Sequence, residues 1–216
     1  MSAASSEVLV APTDVPSTPL ERAFFARPTE VVARDLLGVW LLRTTPDGLC
    51  GGRIVETEAY GGPEDRASHA RAGPTRRTAP MFGPVGHAYV YLVYGMHHCL
   101  NVVAYHGREA GAVLIRALEP LIGVDQIRAR RGQPTDPYSR LCAGPARLCQ
   151  GLAVDRALDG HDLTAGDTLW LAAQLPVGDD HQVAMGTRVG VDYAGDWAKR
   201  QWRFWLAGNP AVSRRP

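Results

Sequence analysis

Read from the amino terminus, the pattern of apolar and polar positions changes character several times. Residues 1–20 are rich in Ser, Ala, Pro and Thr without periodicity, which predicts a disordered arm followed by one folded domain over 21–216. Pro28-Thr29 then opens a short amphipathic helix through Leu37, with Thr29 as N-cap and Gly38 at C′. Residues 39–43 and 52–60 read as strands on either side of a turn at Pro46-Asp47-Gly48. Residues 61–84 are Gly/Pro/Arg-rich and aperiodic; a loop that long inside a domain is usually functional or disordered. Two β-rich runs, 87–94 and 99–105, flank Gly95-Met96-His97-His98 and signal a hairpin. A strand is expected at 112–118 and helices at 121–131 and 144–152, with Pro145 suited to a first helical turn. Late strands are expected at 168–172, 188–193 and 201–206. Strands dominate and helices interrupt them irregularly. The expected fold is therefore α+β: a single domain with a mixed, mostly antiparallel sheet, surrounding helices and a projecting β-hairpin.

One strand breaks the usual pattern. In Arg53-Ile54-Val55-Glu56-Thr57-Glu58-Ala59-Tyr60, residues two apart share a face, so Ile54, Glu56, Glu58 and Tyr60 are expected on one side. A carboxylate beside a flat aromatic ring suits a pocket that stacks a planar ring and hydrolyses a bond next to it. Unpaired buried charge is costly, so two acids on a strand face call for a reason; the plain alternative is two surface acids on an edge strand. The Tyr-rich run 87–96 is the second unusual feature. Core packing accounts for Tyr89. Tyr94, followed by Gly95 and Met96 at the hairpin tip, lacks a core partner and would make a wedge for a nucleic-acid stack. Asn101 and Arg116 are polar residues inside apolar runs and need partners if buried.

Composition narrows the options. The chain has 216 residues, 45% hydrophobic, enough for a sizeable core. No run approaches the roughly 18 apolar residues of a membrane helix, and the amino terminus lacks a basic signal-peptide region, so a cytoplasmic protein is expected. Cys50, Cys99, Cys142 and Cys149 match no zinc or disulfide spacing. His97 and His98 have no third ligand at a telling distance in sequence, so no metal is expected. Net charge is only +1, but arginines cluster over 66–77, 128–147 and, with Lys199, over 197–216. Such clusters are either solvated faces or an electrostatic footprint for nucleic acid.

Five separated segments then point one way: 53–60, Gly62-Pro63-Glu64-Asp65, 89–96, Arg116-Ala117-Leu118-Glu119-Pro120 and Leu141-Cys142-Ala143-Gly144-Pro145. In this order, from about residue 29 to about 206, they resemble the alkyladenine (3-methyladenine) DNA glycosylase family. The resemblance implies a single-domain α+β enzyme of base excision repair, nucleoid-associated in a bacterium. It would flip an alkylated or deaminated purine out of duplex DNA and hydrolyse its N-glycosidic bond. Glu58 would be the general base and Arg116 would help hold the water. Tyr60, His69 and Tyr91 would enclose the base, and Asn101 would disfavour normal guanine at the pocket floor. Tyr94, with Met96, would fill the vacated stack. No cofactor and no membrane are implied. The partner is double-stranded DNA containing damaged purines, and a monomer is the default. His97-His98 and the loop 105–109 depart from the pattern of some relatives and bear on substrate range.

Two other functions stay open on the residues alone: a carbohydrate hydrolase using Glu56 and Glu58, and a non-catalytic nucleic-acid-binding module. The only lysine, Lys199, lies outside every pocket-forming motif. Strand cutting through a Schiff base needs an amine nucleophile, so release of the base alone is expected.

Overall fold

The computed structural model describes residues 15–107, 110–173 and 182–213. Its organising element is a long strand, β2 (Gly48–Tyr60), which follows β1 (Trp40–Thr45) through the expected turn at residues 46–47. β3 (Ala88–Val93), β4 (His97–Val103), β5 (Ala112–Ile122), β6 (Leu169–Ala172), β7 (Val183–Gly186) and β8 (Arg203–Leu206) complete the sheet. The order is β3-β4-β5-β2-β1-β6, with β8 on β2 and β7 on β8, and every pairing is antiparallel. β2 therefore keeps β5 on one edge and changes partner on the other. β1 covers its first half, and β8 covers Glu56–Glu58.

Helices α1 (Thr29–Asp35), α2 (Val124–Arg131), α3 (Tyr138–Leu141) and α4 (Pro145–Gly151) contribute to the main core. Val32, Leu36, Ile127, Leu141 and Leu148 meet Ile54, Val90, Leu100, Val113 and Ile115 from the strands there. Fully burying a side chain of this size stabilises by about 1.5–3 kcal/mol. Strand alternation then leaves the opposite positions, Tyr91, Cys99, Asn101, Leu114 and Arg116, for the other face, where the site forms. The architecture is the expected α+β, with more strand and shorter helices than the pattern suggested.

Several local expectations are corrected. Thr29 is the first helical residue, not the N-cap; Pro28 takes that position and the Thr29 hydroxyl donates to Ala104 O at 3.0 Å. β5 runs to Ile122, so the helix expected from 121 begins at Val124. Residues 188–193 are not a strand. They form a turn leading into a 3-10 segment, Asp192–Lys199, while the neighbouring Val183–Gly186 pairs with β8 instead. The reason is Arg188, whose side chain is wholly buried in an ion pair and pulls the backbone off the sheet. The hairpin turn is Tyr94-Gly95-Met96 rather than 95–98; His97 and His98 belong to β4. Of the arm expected over 1–20, residues 1–14 lie outside the described part. Leu20 N–H donates to Leu171 O at 2.7 Å, and Pro19 bridges Ala172. Arg108 and Glu109 of the loop 105–109 are also outside it, as are Arg214 and Arg215.

Candidate active site

The register of β2 against β5 slips three times: between Gly51 and Gly52, between Ile54 and Glu56, and between Glu56 and Thr57, where Arg116 is the extra residue on β5. A bulge places two residues opposite one and re-aims side chains. Ile54 and Ala59 accordingly lie in the same core although five apart, an odd spacing that uninterrupted alternation forbids. The expectation that Ile54 shares a face with the acids is thus wrong. Glu56, Glu58 and Tyr60 do share one, and the bulged Arg116 is turned to meet both acids.

Glu56 and Glu58 are fully buried, and so is Thr57 between them, whose hydroxyl donates to Ala33 O of α1. Each acid is differently held. Glu56 Oε1 accepts from Arg116 Nε at 2.7 Å and Arg203 Nε at 2.8 Å, and Oε2 accepts from Ser213 N at 2.7 Å. Desolvation pushes its carboxyl up, but Arg116 and the Ser213 hydrogen bonds outweigh that and hold it below the ordinary value. Glu56 is a committed anion, poorly suited to a second catalytic acid, which removes the geometric basis for a two-carboxylate sugar hydrolase. Glu58 Oε1 accepts from Val189 N at 2.7 Å; Oε2 accepts from the Tyr60 hydroxyl at 2.9 Å and Arg116 NH1 at 3.2 Å. A carboxylate offers about four acceptor directions. Three are used, and Tyr60, Arg116 and Val189 all line one cavity of about 590 Å³.

That cavity has aromatic walls. Tyr60, His69 and Tyr91 line it, with Asn101 and Tyr89 beside them. The His69 and Tyr91 rings meet edge-to-face at 4.7 Å, and Tyr89 and Tyr91 are tilted at 5.2 Å. Tyr89 is core, as expected, but its hydroxyl also sits 3.0 Å from His69 Nδ1. Arg77 NH2 lies 3.4 Å from His69 Nε2. A guanidinium only donates, so Nε2 accepts and the ring proton belongs on Nδ1, directed to Tyr89. Burial, with Arg77 adding to it, pulls the His69 pKa down to about 4, so the imidazole is neutral near pH 7. Burial raises the Tyr60 and Tyr91 hydroxyls, and takes Tyr89 to about 12, so all three remain protonated. Asn101 donates one amide hydrogen to Tyr89 O at 3.0 Å, which fixes the orientation of the amide within the cavity lining.

At the hairpin tip Tyr94 is 88% exposed and Met96 70%. Tyr94 has φ 52° and Gly95 φ 71°, with Met96 N donating to Val93 O at 3.2 Å, a tight turn within the three-residue connection between Val93 and its partner His97. A tyrosine in this left-handed region costs roughly 1–2 kcal/mol. Tyr94 is thus a strained, exposed aromatic that also belongs to the cavity lining.

Sequence reasoning assigned nothing to Val189, Arg203, Ser213 or the Asp65–Arg188 pair. Only Asp65 carried a local signal, as an acid in a Gly/Pro loop; the others reach the site from far along the chain. Among the described residues no group of three His, Cys, Asp or Glu side chains is placed to hold a metal, and the four cysteines are buried and free. No helix among them is long and apolar enough to cross a membrane.

Comparison with known proteins gives a consistent result. The family model described as methylpurine-DNA glycosylase matches residues 23–210. A Streptomyces avermitilis protein bearing the name "Putative 3-methyladenine DNA glycosylase" is 50% identical over 198 residues, 91% of each chain. A Carboxydothermus hydrogenoformans protein with the same name is 46% identical over 196 residues, 91% of this chain and 99% of its own. The mouse DNA-3-methyladenine glycosylase is 44% identical over 201 residues, 88% of this chain and 60% of its own. With the matched segment spanning β1 to β8 and every element of the cavity, the chain belongs to the methylpurine-DNA glycosylase family of N-glycosyl hydrolases.

Proposed function

We propose that this protein is a monofunctional DNA glycosylase that takes an alkylated or deaminated purine out of duplex DNA and hydrolyses its N-glycosidic bond with water activated by Glu58. The observation that carries this reading is a buried carboxylate with one free acceptor direction, all three of whose partners line an aromatic-walled cavity. Base flipping belongs to the general chemistry of glycosylases acting on duplex DNA. Tyr94 enters the gap left by the nucleotide. The base slides between the Tyr60, His69 and Tyr91 rings, where stacking returns roughly 1–3 kcal/mol per contact against an opening cost of a few kcal/mol.

Glu58 accepts a proton from the water as its oxygen bonds to C1′. The C1′–N bond breaks, and its electron pair leaves with the purine. A base that was cationic departs neutral, which makes N-alkylated purines good leaving groups. Arg116 bridges the two acids, donating to Glu58 Oε2 and pinning Glu56 out of the reaction. Lys199 takes no part, being 80% exposed and paired with Asp196 at 2.8 Å. The protein acts as a monomer on duplex DNA, and release of free base from alkylated duplex tests this reading. Loss of that activity in Glu58→Gln with retained lesion binding is the expected result, and binding without any base release by the unaltered chain would favour a non-catalytic DNA-binding module.

A further inference from the structure

Asp65 and Arg188 lie far apart in sequence, and neither side chain has measurable exposure. Arg188 NH1 donates to Asp65 Oδ2 at 2.6 Å and to Ala59 O at 2.9 Å; NH2 donates to Asp65 Oδ1 at 3.0 Å and to Trp197 O at 3.0 Å. Asp65 also accepts from Gly61 N and Ala67 N, both at 2.9 Å, so its acceptor directions are filled. The guanidinium carbon stands 4.9 Å from the Tyr60 ring centre and 5.2 Å from that of Trp202.

The pair is closed to substrate, but its neighbours are the two neutral donors that hold the catalytic carboxylate. Val189, the next residue after Arg188, gives its N–H to Glu58 Oε1. Tyr60, against which Arg188 stacks, gives its hydroxyl to Glu58 Oε2. Ala59 O and Gly61 N, on either side of Tyr60, are tied to the same pair. One buried guanidinium–carboxylate unit thus fixes both the turn that carries Val189 and the end of β2 that carries Tyr60. Planar, bidentate pairing is what makes arginine suited to this, since lysine cannot span the same acceptors in a fixed fork.

We infer that the Asp65–Arg188 pair is a positioning device for Glu58, setting the direction of its remaining acceptor site through Val189 and Tyr60. This inference rests on the reading of Glu58 as the general base. A displacement of about 1 Å at a reacting group can cost on the order of 100-fold in rate, so a small loosening of this unit is felt in the chemical step. The pair itself makes no substrate contact and bears on the base only through the Tyr60 ring; His69 and Tyr91 are held independently of it.

The test uses the full chain and a duplex containing one hypoxanthine. Arg188→Lys keeps the charge and the apolar stem; Asp65→Asn keeps the shape. Each is expected to lower the single-turnover rate constant at saturating enzyme by about 10–100-fold. The Kd for a duplex carrying a non-hydrolysable 2′-fluoro analogue should move by no more than about 3-fold, because only one of the three enclosing rings, Tyr60, touches the pair and the hairpin and phosphate contacts do not. A smaller folded fraction reduces the amount of active enzyme but not this rate constant, so either variant alone suffices if the other fails to fold. In a Glu58→Gln background the same substitutions should change the residual rate by less than about 3-fold, the non-additivity expected of residues acting as one unit. An unchanged rate constant in Arg188→Lys, a fully additive loss in the Glu58→Gln background, or a loss confined to Kd overturns the inference. A near-normal rate in Glu58→Gln itself overturns instead the reading of Glu58 as base.

Discussion

Glu56 and Glu58 are two residues apart on one strand, equally buried, and share Arg116, yet their amides should behave oppositely. Replacing Glu58 by Gln removes the proton acceptor, which for a general base costs about 10²–10⁴-fold in rate. The structural cost is smaller. With the amide oxygen toward Val189 N, the new NH₂ group faces Tyr60, whose hydroxyl can turn to accept, and Arg116 loses one acceptor. With the amide reversed, the NH₂ group faces the Val189 N–H. Either way one buried bond is lost, worth about 1–3 kcal/mol. Replacing Glu56 by Gln leaves Arg116 and Arg203 facing a neutral group and sets an amide against Ser213 N or a guanidinium. Breaking a buried ion pair from one side costs roughly 3–5 kcal/mol. In a domain of this size 1 kcal/mol shifts Tm by about 2–4 °C, giving a fall of roughly 6–20 °C for Glu56→Gln and less for Glu58→Gln. The pH dependence separates them further. The folded carboxyl of Glu56 lies below its ordinary value of 4.5, so its stabilising contribution is complete above that value and is lost as pH falls through the lower folded one. Glu56→Gln should flatten this part of the acid-unfolding curve. The assays are thermal melts from neutral to acid pH beside single-turnover base release measured below both melting points. A folded Glu56→Gln protein that has lost base release, beside an active Glu58→Gln protein, would refute the assignment and move the base by one strand repeat.

Tyr94→Ala and Tyr94→Gly should both weaken specific binding and slow flipping, with readily unpaired lesions least affected. The Gly variant should be the more stable of the two by about 1 kcal/mol, because only glycine adopts the observed positive φ without penalty; unchanged affinity in both would return Tyr94 to a role in the hairpin alone. Duplex affinity should fall as salt rises, and each phosphate-contacting arginine removed should lessen the slope of log K against log salt by about 0.9. Arg71, Arg76 and Arg147 are exposed and should show this in salt titrations, whereas Arg130, tied to Thr45 and Asp47, should not; a salt-independent Kd would remove duplex DNA from the list of partners. Borohydride treatment during turnover should trap no covalent DNA complex, since the sole lysine is paired with Asp196 outside the cavity lining; a trapped species lost on Lys199→Ala would overturn direct attack by water.

Much of this protein is local enough to be read from its sequence. The alternation over 53–60 places Glu58 and Tyr60 together because strand geometry alone puts residues two apart on one face. The projecting hairpin follows from two β-rich runs around a glycine, and α1 from a proline start and an amphipathic run. Tertiary structure decided what depends on partners remote in sequence. Ile54 left the face of the acids because β2 bulges against β5, a consequence of pairing with a strand some sixty residues away. Residues 188–193 have strand-like composition, yet burial of Arg188 against Asp65 turned them into the segment that supplies an N–H to Glu58. Which of two equivalent-looking acids has all its partners on the cavity was likewise settled at a distance: Glu56 is held by Arg203 and Ser213, neither of which lines it. Periodicity and turn chemistry act over a few residues and are written along the chain. Compensation of buried charge acts through space, in a low-dielectric interior where an unpaired group is costly, and it becomes legible only once the chain has folded.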